Sequence, residues 1–520
     1  MSGPPATGSS LALVQKLREE GRWGLQWFQL GRICHLSDEM RDATAMMMLV
    51  RLCWCAVWIG SVCLAAEAQA ASFTPLGDLP GGDFDSLTTD ISDDGLTVVG
   101  FSQSDLGAEA FRWTEDAGLV ALSSLTGETV PTIARAVSNT GTIAGQLNYV
   151  EGEQCTPGAP MHPSAALWTE DFGFLPLGGT TLIAHDLAAD GTATVGRTCD
   201  FIEDPDTGEM IPFPQPYYWN ETEGLNVLDA LGHSLGLSAD GQSATGFVVL
   251  DHGDDTFSLQ AMRWRPALGE LDALGLIGPS ELPAESIAKD INASGDVIIG
   301  GYRPTDEALY EGFRWTEEDG FLGLGHLAEF DSEVFDVSAD GNVIVGEQFL
   351  DEEGEEVVAT IWDPQGGLRN LQTLLVDEVG LGDALTGWTL ERANGISADG
   401  LSIVGFGINP EGNPEGWLVR LDEIPPPALL GDYNGSGLVE QADLDLVLSH
   451  WGVDGSVPPD GWINDLPDGF IDQAELDRVL SNWGSASAAL GATTAVPEPS
   501  SLLLAVGLAL LAGCGIRRAR

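Results

Sequence analysis

The sequence ISDDGLTVVG, residues 91–100, recurs in variant form along the whole middle of the chain. Its seven copies begin at Ile91, Val137, Leu187, Leu237, Ile291, Val337 and Ile396. Each copy has an apolar start, usually an Asp-Gly pair, a short run that ends in Gly, and a Trp further on. The first and last turn glycines are Gly95 and Gly400, which gives six intervals of about 51 residues. Self-similarity at this period marks an array of one repeated supersecondary unit, and it decides the architecture.

Each repeat contains four short strand signals. In the first repeat they are Leu87–Ser92, Thr97–Ser102, Ala110–Thr114 and Leu119–Leu122, separated by Gly or acidic turns. The Asp-Gly pair between the first two suits a tight hairpin, because Gly accepts a positive φ without a Cβ clash. Four short antiparallel strands in a unit of this length predict a β-propeller blade.

The number of strands predicts how the ring closes. The seventh repeat stops after its third strand, at Trp417–Leu421. A phrase like the fourth strand of the other repeats instead precedes the first one, at Phe73–Leu79. We therefore predict an all-β fold over residues 71–422, a seven-bladed β-propeller that this N-terminal strand closes. Closure protects sheet edges that would otherwise be open.

One Trp occupies the same position in every repeat, and the long connections share one face. The tryptophans are Trp113, Trp168, Trp219, Trp264, Trp315, Trp362 and Trp417. They could stack on carbohydrate, but a position that is filled in every unit favours core packing. The long connections are 147–164, 198–215, 247–260, 301–311, 347–358 and 372–393. Their face is the predicted binding face, and its aromatic residues are Tyr149, Tyr217, Tyr302, Tyr310 and Trp388.

The repeats resemble the extracellular HAF family over residues 73–421. The segments AFRWT at 110–114 and GFRWT at 312–316 carry the resemblance best. The leading His of the family is missing, since Glu109 and Glu311-Gly312 occupy that part. The resemblance implies a repeat fold and export more than any activity.

The composition argues against a nucleic-acid partner. The chain has 21 Lys and Arg against 80 Asp and Glu, a formal net charge of −59. Residues 71–495 contain only 12 of the basic residues, and Lys289 is their one lysine. A surface this acidic repels phosphate backbones. With 43% apolar residues the chain can still form a large core.

The N-terminal region predicts export. Residues 46–70 have an Arg, an apolar run and an Ala-Gln-Ala site, which is typical of a signal peptide cut before Ala71. An uncleaved anchor is the alternative. Residues 1–45 do not fit ahead of a signal peptide, so we interpret them as a mis-assigned extension. Cys155 and Cys199 lie in loops of consecutive repeats, and an oxidising compartment makes them candidates for a disulfide.

A proline-rich linker at 423–430 leads to a duplicated segment at 431–484. Hard oxygen donors at alternate positions are typical of a calcium loop. In the first copy, positions 1, 3, 5, 7, 9 and 12 are Asp432, Asn434, Ser436, Leu438, Glu440 and Asp443. The second copy provides Asn464, Leu466, Asp468, Phe470, Asp472 and Glu475. Leu466 has no side-chain oxygen, so this site is predicted to be weaker unless the register slips to Asp465.

The doublet resembles a type I dockerin, in which position 12 can be Asp and one helix follows each loop. The resemblance implies calcium as the cofactor and a cohesin module as a possible partner. The usual recognition pair is hydroxyl-rich, but Gln441-Ala442 and Gln473-Ala474 stand there. That departure puts a cohesin partner in doubt. A vestigial packing hairpin is the alternative.

After a linker at 485–495, the tail at 496–520 resembles the PEP-CTERM sorting signal of Gram-negative bacteria. The resemblance rests on Pro497, Glu498 and Pro499, on an apolar segment at 501–516, and on Arg517 and Arg518. As a helix this segment would span about 24 Å, near the lower limit for a bilayer. The resemblance implies an exosortase-type transpeptidase as partner and transient anchoring in the inner membrane. It also implies delivery to the cell surface or the extracellular matrix. A plain C-terminal anchor is the alternative.

Two functional hypotheses remain at this point. The first is a non-catalytic, surface-displayed or exopolysaccharide-associated binding or structural protein with no catalytic residues. The second is a secreted carbohydrate-active enzyme, a propeller glycosidase or lyase, which would place unusual residues in the mouth of the ring. Residues that depart from the repeat, such as Arg135, His185, Lys289 and Arg303, are the first candidates for such a site. The G-x-S-x-G sequence at 232–236 aligns with a strand of every other repeat, so we interpret it as scaffold.

Overall fold

The structure is a computed structural model. It describes residues 71–122, 131–148, 164–178, 181–203, 210–251, 257–274, 285–305, 308–352, 354, 356–426, 431–434, 436, 438–453, 462 and 470–485. The predicted signal peptide, the extension predicted before it and the C-terminal tail lie outside these residues, as do Tyr149, Cys155, Asn464 and Asp468.

Thirty strands make up almost all of the regular structure. The first fifteen are β1 Ser72–Pro75, β2 Ser86–Ile91, β3 Val98–Ser104, β4 Gly107–Thr114, β5 Gly118–Ala121, β6 Thr132–Val137, β7 Ile143–Leu147, β8 Ser164–Thr169, β9 Gly173–Pro176, β10 Leu182–Leu187, β11 Ala193–Thr198, β12 Phe201–Glu203, β13 Met210–Pro212, β14 Pro216–Asn220 and β15 Gly224–Val227. The others are β16 Gly232–Leu237, β17 Ala244–Asp251, β18 Phe257–Arg265, β19 Glu270–Ala273, β20 Glu285–Ile291, β21 Val297–Arg303, β22 Glu311–Thr316, β23 Gly320–Gly323, β24 Ser332–Val337, β25 Ile344–Phe349, β26 Val357–Asp363, β27 Gly367–Asn370, β28 Thr389–Ile396, β29 Ser402–Ile408 and β30 Pro414–Arg420.

These strands form seven four-stranded antiparallel sheets, so the predicted seven-bladed propeller is confirmed. Blades 1 and 2 are β2–β5 and β6–β9. Blade 3 is β10, β11, β14 and β15, and a separate β12–β13 hairpin extends its long connection. Blades 4, 5 and 6 are β16–β19, β20–β23 and β24–β27. In every repeat the turn glycine of the Asp-Gly phrase has a positive φ, for example +71° at Gly95, as the hairpin requires.

Blade 7 is closed by the N-terminal strand, as predicted. Its sheet has the order β1-β30-β29-β28, and Phe73 of β1 pairs with Val419 of β30. The following residues Leu76 and Leu79 are buried between blades 1 and 7 with Trp113 and Leu418. The closing segment therefore supplies both a sheet partner and part of the core.

The core lies between neighbouring blades, and the repeated Trp belongs to it. Six of the seven tryptophans are buried, and Trp219 is partly buried against the cluster that joins blades 2 and 3. Trp168 and Trp417 are fully buried. The structural interpretation of this position is confirmed for the six buried rings, which are not exposed enough to stack on a sugar.

The connection at 372–393 is more ordered than a loop. It contains helix α1 (Leu371–Thr373) and a π-helical turn at Leu374–Glu378. Trp388, which we expected on the binding face, is 7% exposed and packs edge-on against Phe73 at 5.1 Å. Tyr217 is also fully buried. The expectation that these two aromatics face a ligand was wrong, because both are needed to fill the spaces beside blades 7 and 3.

Helices α2 (Gln441–Ser449) and α3 (Gln473–Ser481) follow the two predicted loops of the C-terminal segment. They pack around a small core of Tyr433, Val447, Trp462 and Val479. Among the described residues, no helix has the length and apolar character needed to cross a membrane. The transmembrane segment predicted at 501–516 lies outside them.

We predict that the ring depends on its N-terminal strand. Replacing residues 71–80 with a Gly/Ser sequence of equal length removes the β1 pairing and the buried Leu76 and Leu79. Since an unpaired strand edge and an open core interface are both costly, thermal unfolding should lose its cooperative transition. A variant that melts like the unaltered protein would contradict this account of closure.

Candidate functional site

A β-bulge occurs in the innermost strand of every blade. In each pairing of an inner strand with its neighbour, the register skips one residue, for example between Ala184 and Asp186 in blade 3. A bulge re-aims the extra side chain and recurs next to functional sites. Here the skipped residues are Thr89, Arg135, His185, Leu235, Lys289, Phe335 and Asn394, and all seven line one cavity on the ring axis.

This cavity lies on the side of the ring where the long connections emerge. The inner strands run from those connections toward the Asp-Gly hairpins, and each bulge residue precedes the residue that reaches the ring centre. The cavity has a volume of about 110 Å³. We call it the mouth, defined by the seven bulge residues.

The mouth contains three of the four residues that we singled out as departing from the repeat. Arg135, His185 and Lys289 come together there. Arg303 does not, because it pairs with Asp331 at 3.1 Å and lies over the Tyr310 ring.

The sequence did not lead us to four other residues of the mouth, Thr89, Leu235, Phe335 and Asn394. Each stands six residues before its turn glycine, as do the other three. At this position the repeats differ in every copy, and that difference was the available signal.

Below the mouth, buried aspartates bridge adjacent blades. Asp90, Asp186 and Asp336 each accept a backbone N–H from the next residue in their own strand and another from the following blade. The bond that links blades 3 and 4, from Leu237 N–H to Asp186 Oδ2, measures 2.6 Å. Asp290 completes the set through a hydrogen bond with the Asp336 side chain.

At the position that Asp occupies in blades 1, 3, 5 and 6, the other three blades have a small residue. A neighbouring blade lies too close there for a longer side chain. A Cβ at Gly236 would lie 2.7 Å from Asp290 Cα, and one at Gly395 would lie 3.2 Å from Ile91 N. Blade 2 has Ala136 there. Asp and small residues therefore fit together around the ring axis.

The environment of the aspartates favours their neutral forms. Burial raises the pKa of Asp186 to about 7 and that of Asp336 to about 6. Burial, followed by the charges of the other ring aspartates, also raises the pKa of Asp90 and Asp290 well above the usual range. A second cavity of about 70 Å³ lies on the hairpin side of the four carboxyls.

Two basic side chains of the mouth, Arg135 and Lys289, lie near a neutral imidazole. Burial, and then the charges of Arg135, Arg197 and Lys289 together with His233, lower the pKa of His185 well below its usual value. Burial lowers the pKa of His233 to about 3, and the two imidazole rings stack with centroids 6.2 Å apart. Lys289 Nζ lies 3.4 Å from Glu333 and so contributes only part of its charge.

In the C-terminal segment the structure describes most of the first predicted calcium loop. Asp432 and Asp443 are both buried, 2% and 0% exposed. Asp443 accepts the backbone N–H groups of Asn434 and Glu440, and Asp432 accepts that of Ser436. Leu438 places its carbonyl oxygen 3.1 Å from Ser436 Oγ. A carboxylate retains acceptor positions beyond these bonds, and the capping of α2 by itself explains the position of Asp443.

The second loop is described only from Phe470 onward. Phe470 is exposed, and Asp472 caps α3 by accepting the Ala474 N–H. Glu475 is 1% exposed and lies 3.8 Å from Arg478, which competes with any cation for its carboxylate. No group of three or more His, Cys, Asp or Glu side chains that could hold a metal occurs in the described part of the chain.

Two further predicted features fall in the propeller. Cys199 is disulfide-bonded, but Cys155 lies outside the described residues, so their pairing stays a prediction. Ser234, the serine of the G-x-S-x-G sequence, is fully buried in strand β16 and pairs with Gly246. The interpretation of this sequence as scaffold is confirmed, because no turn exposes the serine.

The C-terminal residues 495–520 match the model of the PEP-CTERM protein-sorting motif. The chain ends in a PEP-CTERM sorting signal. The PEP-CTERM signal indicates an exported protein that is processed by an exosortase and held in the membrane by its tail until then. The predicted motif residues Pro497, Glu498, Pro499, Arg517 and Arg518 fall within the matched segment.

No curated protein matches this PEP-CTERM chain. Among solved structures it is similar to oligogalacturonate lyase from Vibrio parahaemolyticus (11% identity, TM-score 0.42, covering 68% of this chain and 97% of that one). It is also similar to a putative TolB from Agrobacterium tumefaciens (15%, 0.33, 56% and 91%) and an acylaminoacyl peptidase from Pyrococcus horikoshii (14%, 0.40, 65% and 52%). At these identities and TM-scores the similarities carry no argument about activity.

We predict that the four buried aspartates at the ring axis, Asp90, Asp186, Asp290 and Asp336, make the propeller more stable in weak acid than at neutral pH. Because the pKa of Asp186 is raised to about 7 from an unfolded value near 4, its contribution is complete below about pH 4 and is lost as the pH rises through about 7. Asp186→Asn should lower the free energy of unfolding by about 1 kcal/mol at pH 5, because one bridging acceptor is lost. The decrease should be smaller at pH 8.

Denaturant unfolding of both proteins from pH 5 to pH 8 measures this difference. Asp171→Asn, in an exposed turn, is the matched control and should leave the pH profile unchanged. Equal pH slopes for Asp186→Asn and the unaltered protein would contradict the prediction.

Proposed function

We propose that this exported protein is a non-catalytic binding protein of the cell surface or the exopolysaccharide matrix, with its ligand site in the mouth of the propeller. The supporting observation is the set of seven bulge residues that define the mouth. Seven side chains that differ from one another converge on one cavity, whereas the positions around them repeat from blade to blade. A purely structural ring has no need for such variety at its centre.

The volume of the mouth limits what can enter it. At about 110 Å³ it is smaller than a site for a complete drug-sized ligand. It suits one sugar unit or one substituent of a larger saccharide, with the rest of the ligand outside. Its lining combines polar side chains (Thr89, Asn394) with apolar ones (Leu235, Phe335), as binding to a hydroxylated ring requires.

A carbohydrate-active enzyme is the second candidate, and His185 favours it. Its imidazole is held neutral beside Asp186 and two cations. A neutral base next to a carboxyl with a raised pKa is an arrangement that general acid–base catalysis uses. Turnover separates the two candidates.

We also propose that calcium stabilises the C-terminal segment through Asp432, Asn434, Ser436, the Leu438 carbonyl, Glu440 and Asp443. The loop brings the buried carboxylates of Asp432 and Asp443 together, and Ca²⁺ prefers hard oxygen donors of this kind. The second loop is a weaker site, because its Glu475 already faces Arg478. A cohesin-like module stays a possible partner for this segment, since Gln441 and Gln473 of the recognition pairs are exposed.

The mouth is tested with a panel of labelled neutral, acidic and amino saccharides. Leu235→Trp should fill the cavity and abolish any binding, because Leu235 lines it. Leu322→Trp is the matched control on an exposed outer strand, where Leu322 is 49% exposed, and should leave binding unchanged. Binding that survives Leu235→Trp would place the ligand elsewhere, and product formation by the unaltered protein would favour the enzyme.

Calorimetric titration of the full chain tests the calcium site. Asp432→Ala should abolish the tightest binding heat, because position 1 is lost from the loop. Asp445→Ala, on the exposed side of α2, should retain it. The proposal is wrong if the unaltered protein shows no such heat, or if both variants retain it.

A further inference from the structure

We propose that the mouth of the propeller binds the carboxylate of a sugar acid, with Arg135, Lys289 and His185 as the residues that recognise it. This inference rests on the proposed binding function and names the chemical class of the ligand. It goes beyond that function because it assigns a charge to the ligand. The shape of the mouth alone would accept a neutral sugar equally well.

The distribution of basic residues in the propeller supports an anionic ligand. Residues 71–495 contain only 12 basic residues among a large excess of acids. Three of them, Arg135, Arg197 and Lys289, are close enough to His185 to act on its charge state. Arg135 and Lys289 also line the cavity from different blades. An acidic protein that concentrates cations around one small cavity repels polyanions elsewhere and attracts an anionic group there.

A buried atom at the mouth also lacks a hydrogen-bond partner. Within the described part of the chain, His185 Nε2 is buried and forms no hydrogen bond. Leaving such an atom unsatisfied is costly, and a buried polar atom without a partner is often explained by a ligand or ordered water. In its neutral form the imidazole can donate one N–H to a carboxylate oxygen.

The surroundings favour a monoanion over a dianion. Lys289 shares its charge with Glu333 at 3.4 Å, Arg135 also has an interaction of its own, and Asp90, Asp186, Asp290 and Asp336 line the same cavity. The aspartates that bridge blades direct both oxygens to backbone N–H groups, which offsets part of their repulsion. Two cations whose charges are already partly shared suit one carboxylate better than a phosphate. Leu235 supplies apolar surface for the sugar ring.

Calorimetric titration of the full chain with glucuronate, and with glucose as its uncharged counterpart, tests the inference. Glucuronate should bind, and glucose should bind at least tenfold more weakly. Arg135→Gln and Lys289→Gln should each weaken glucuronate binding about tenfold, as expected for the loss of a charge-assisted hydrogen bond. Arg112→Gln, which removes a cation paired with Glu170 at 3.5 Å outside the mouth, should change nothing. Melting curves confirm that each variant is folded.

The outcomes separate this inference from the proposed function. If glucose binds as well as glucuronate and Leu235→Trp abolishes both, the mouth is a binding site but the inference is wrong. If no glucuronate binds, if phosphate binds more tightly, or if Arg135→Gln and Lys289→Gln bind like the unaltered protein, the inference is also overturned. If Leu235→Trp changes the binding of no saccharide, the proposed function fails as well.

Discussion

The bulge in each inner strand is the feature on which the site depends. By skipping one residue in the register, it turns two consecutive side chains toward the ring axis at different depths. The first residue faces the mouth. The second lies deeper, where Asp reaches across to the backbone of the next blade or a small residue makes room for it. One backbone irregularity thus separates a position free to vary from a position fixed by the scaffold.

The bridging aspartates explain how a ring of weakly paired blades remains closed at its centre. Each carboxylate satisfies two backbone N–H groups, one of them in another sheet. Burial makes these carboxyls partly neutral near pH 7, so the centre avoids the full repulsion of four charges. The apolar clusters between blades, which include the repeated Trp, hold the outer parts together.

The sequence was sufficient for the architecture, because repetition exposes it directly. The Asp-Gly turns, the missing fourth strand of the last repeat and the matching phrase at Phe73–Leu79 together predicted seven blades and their closure. Predictions about individual side chains were less reliable. Trp388 and Tyr217 lie in or beside long connections, yet both are buried, because burial there depends on contacts between blades that no local pattern reveals. Arg135, His185 and Lys289 could be named as unusual residues, but their convergence required the bulge, which has no signature of its own in the sequence.

A crystal structure of the protein with glucuronate bound is the most direct test of this account. It should show the seven bulge side chains around one cavity, with the carboxylate of the ligand within hydrogen-bond distance of Arg135 and Lys289. A ligand bound on the outer connections, or inner strands that pair without the skipped residue, would contradict it.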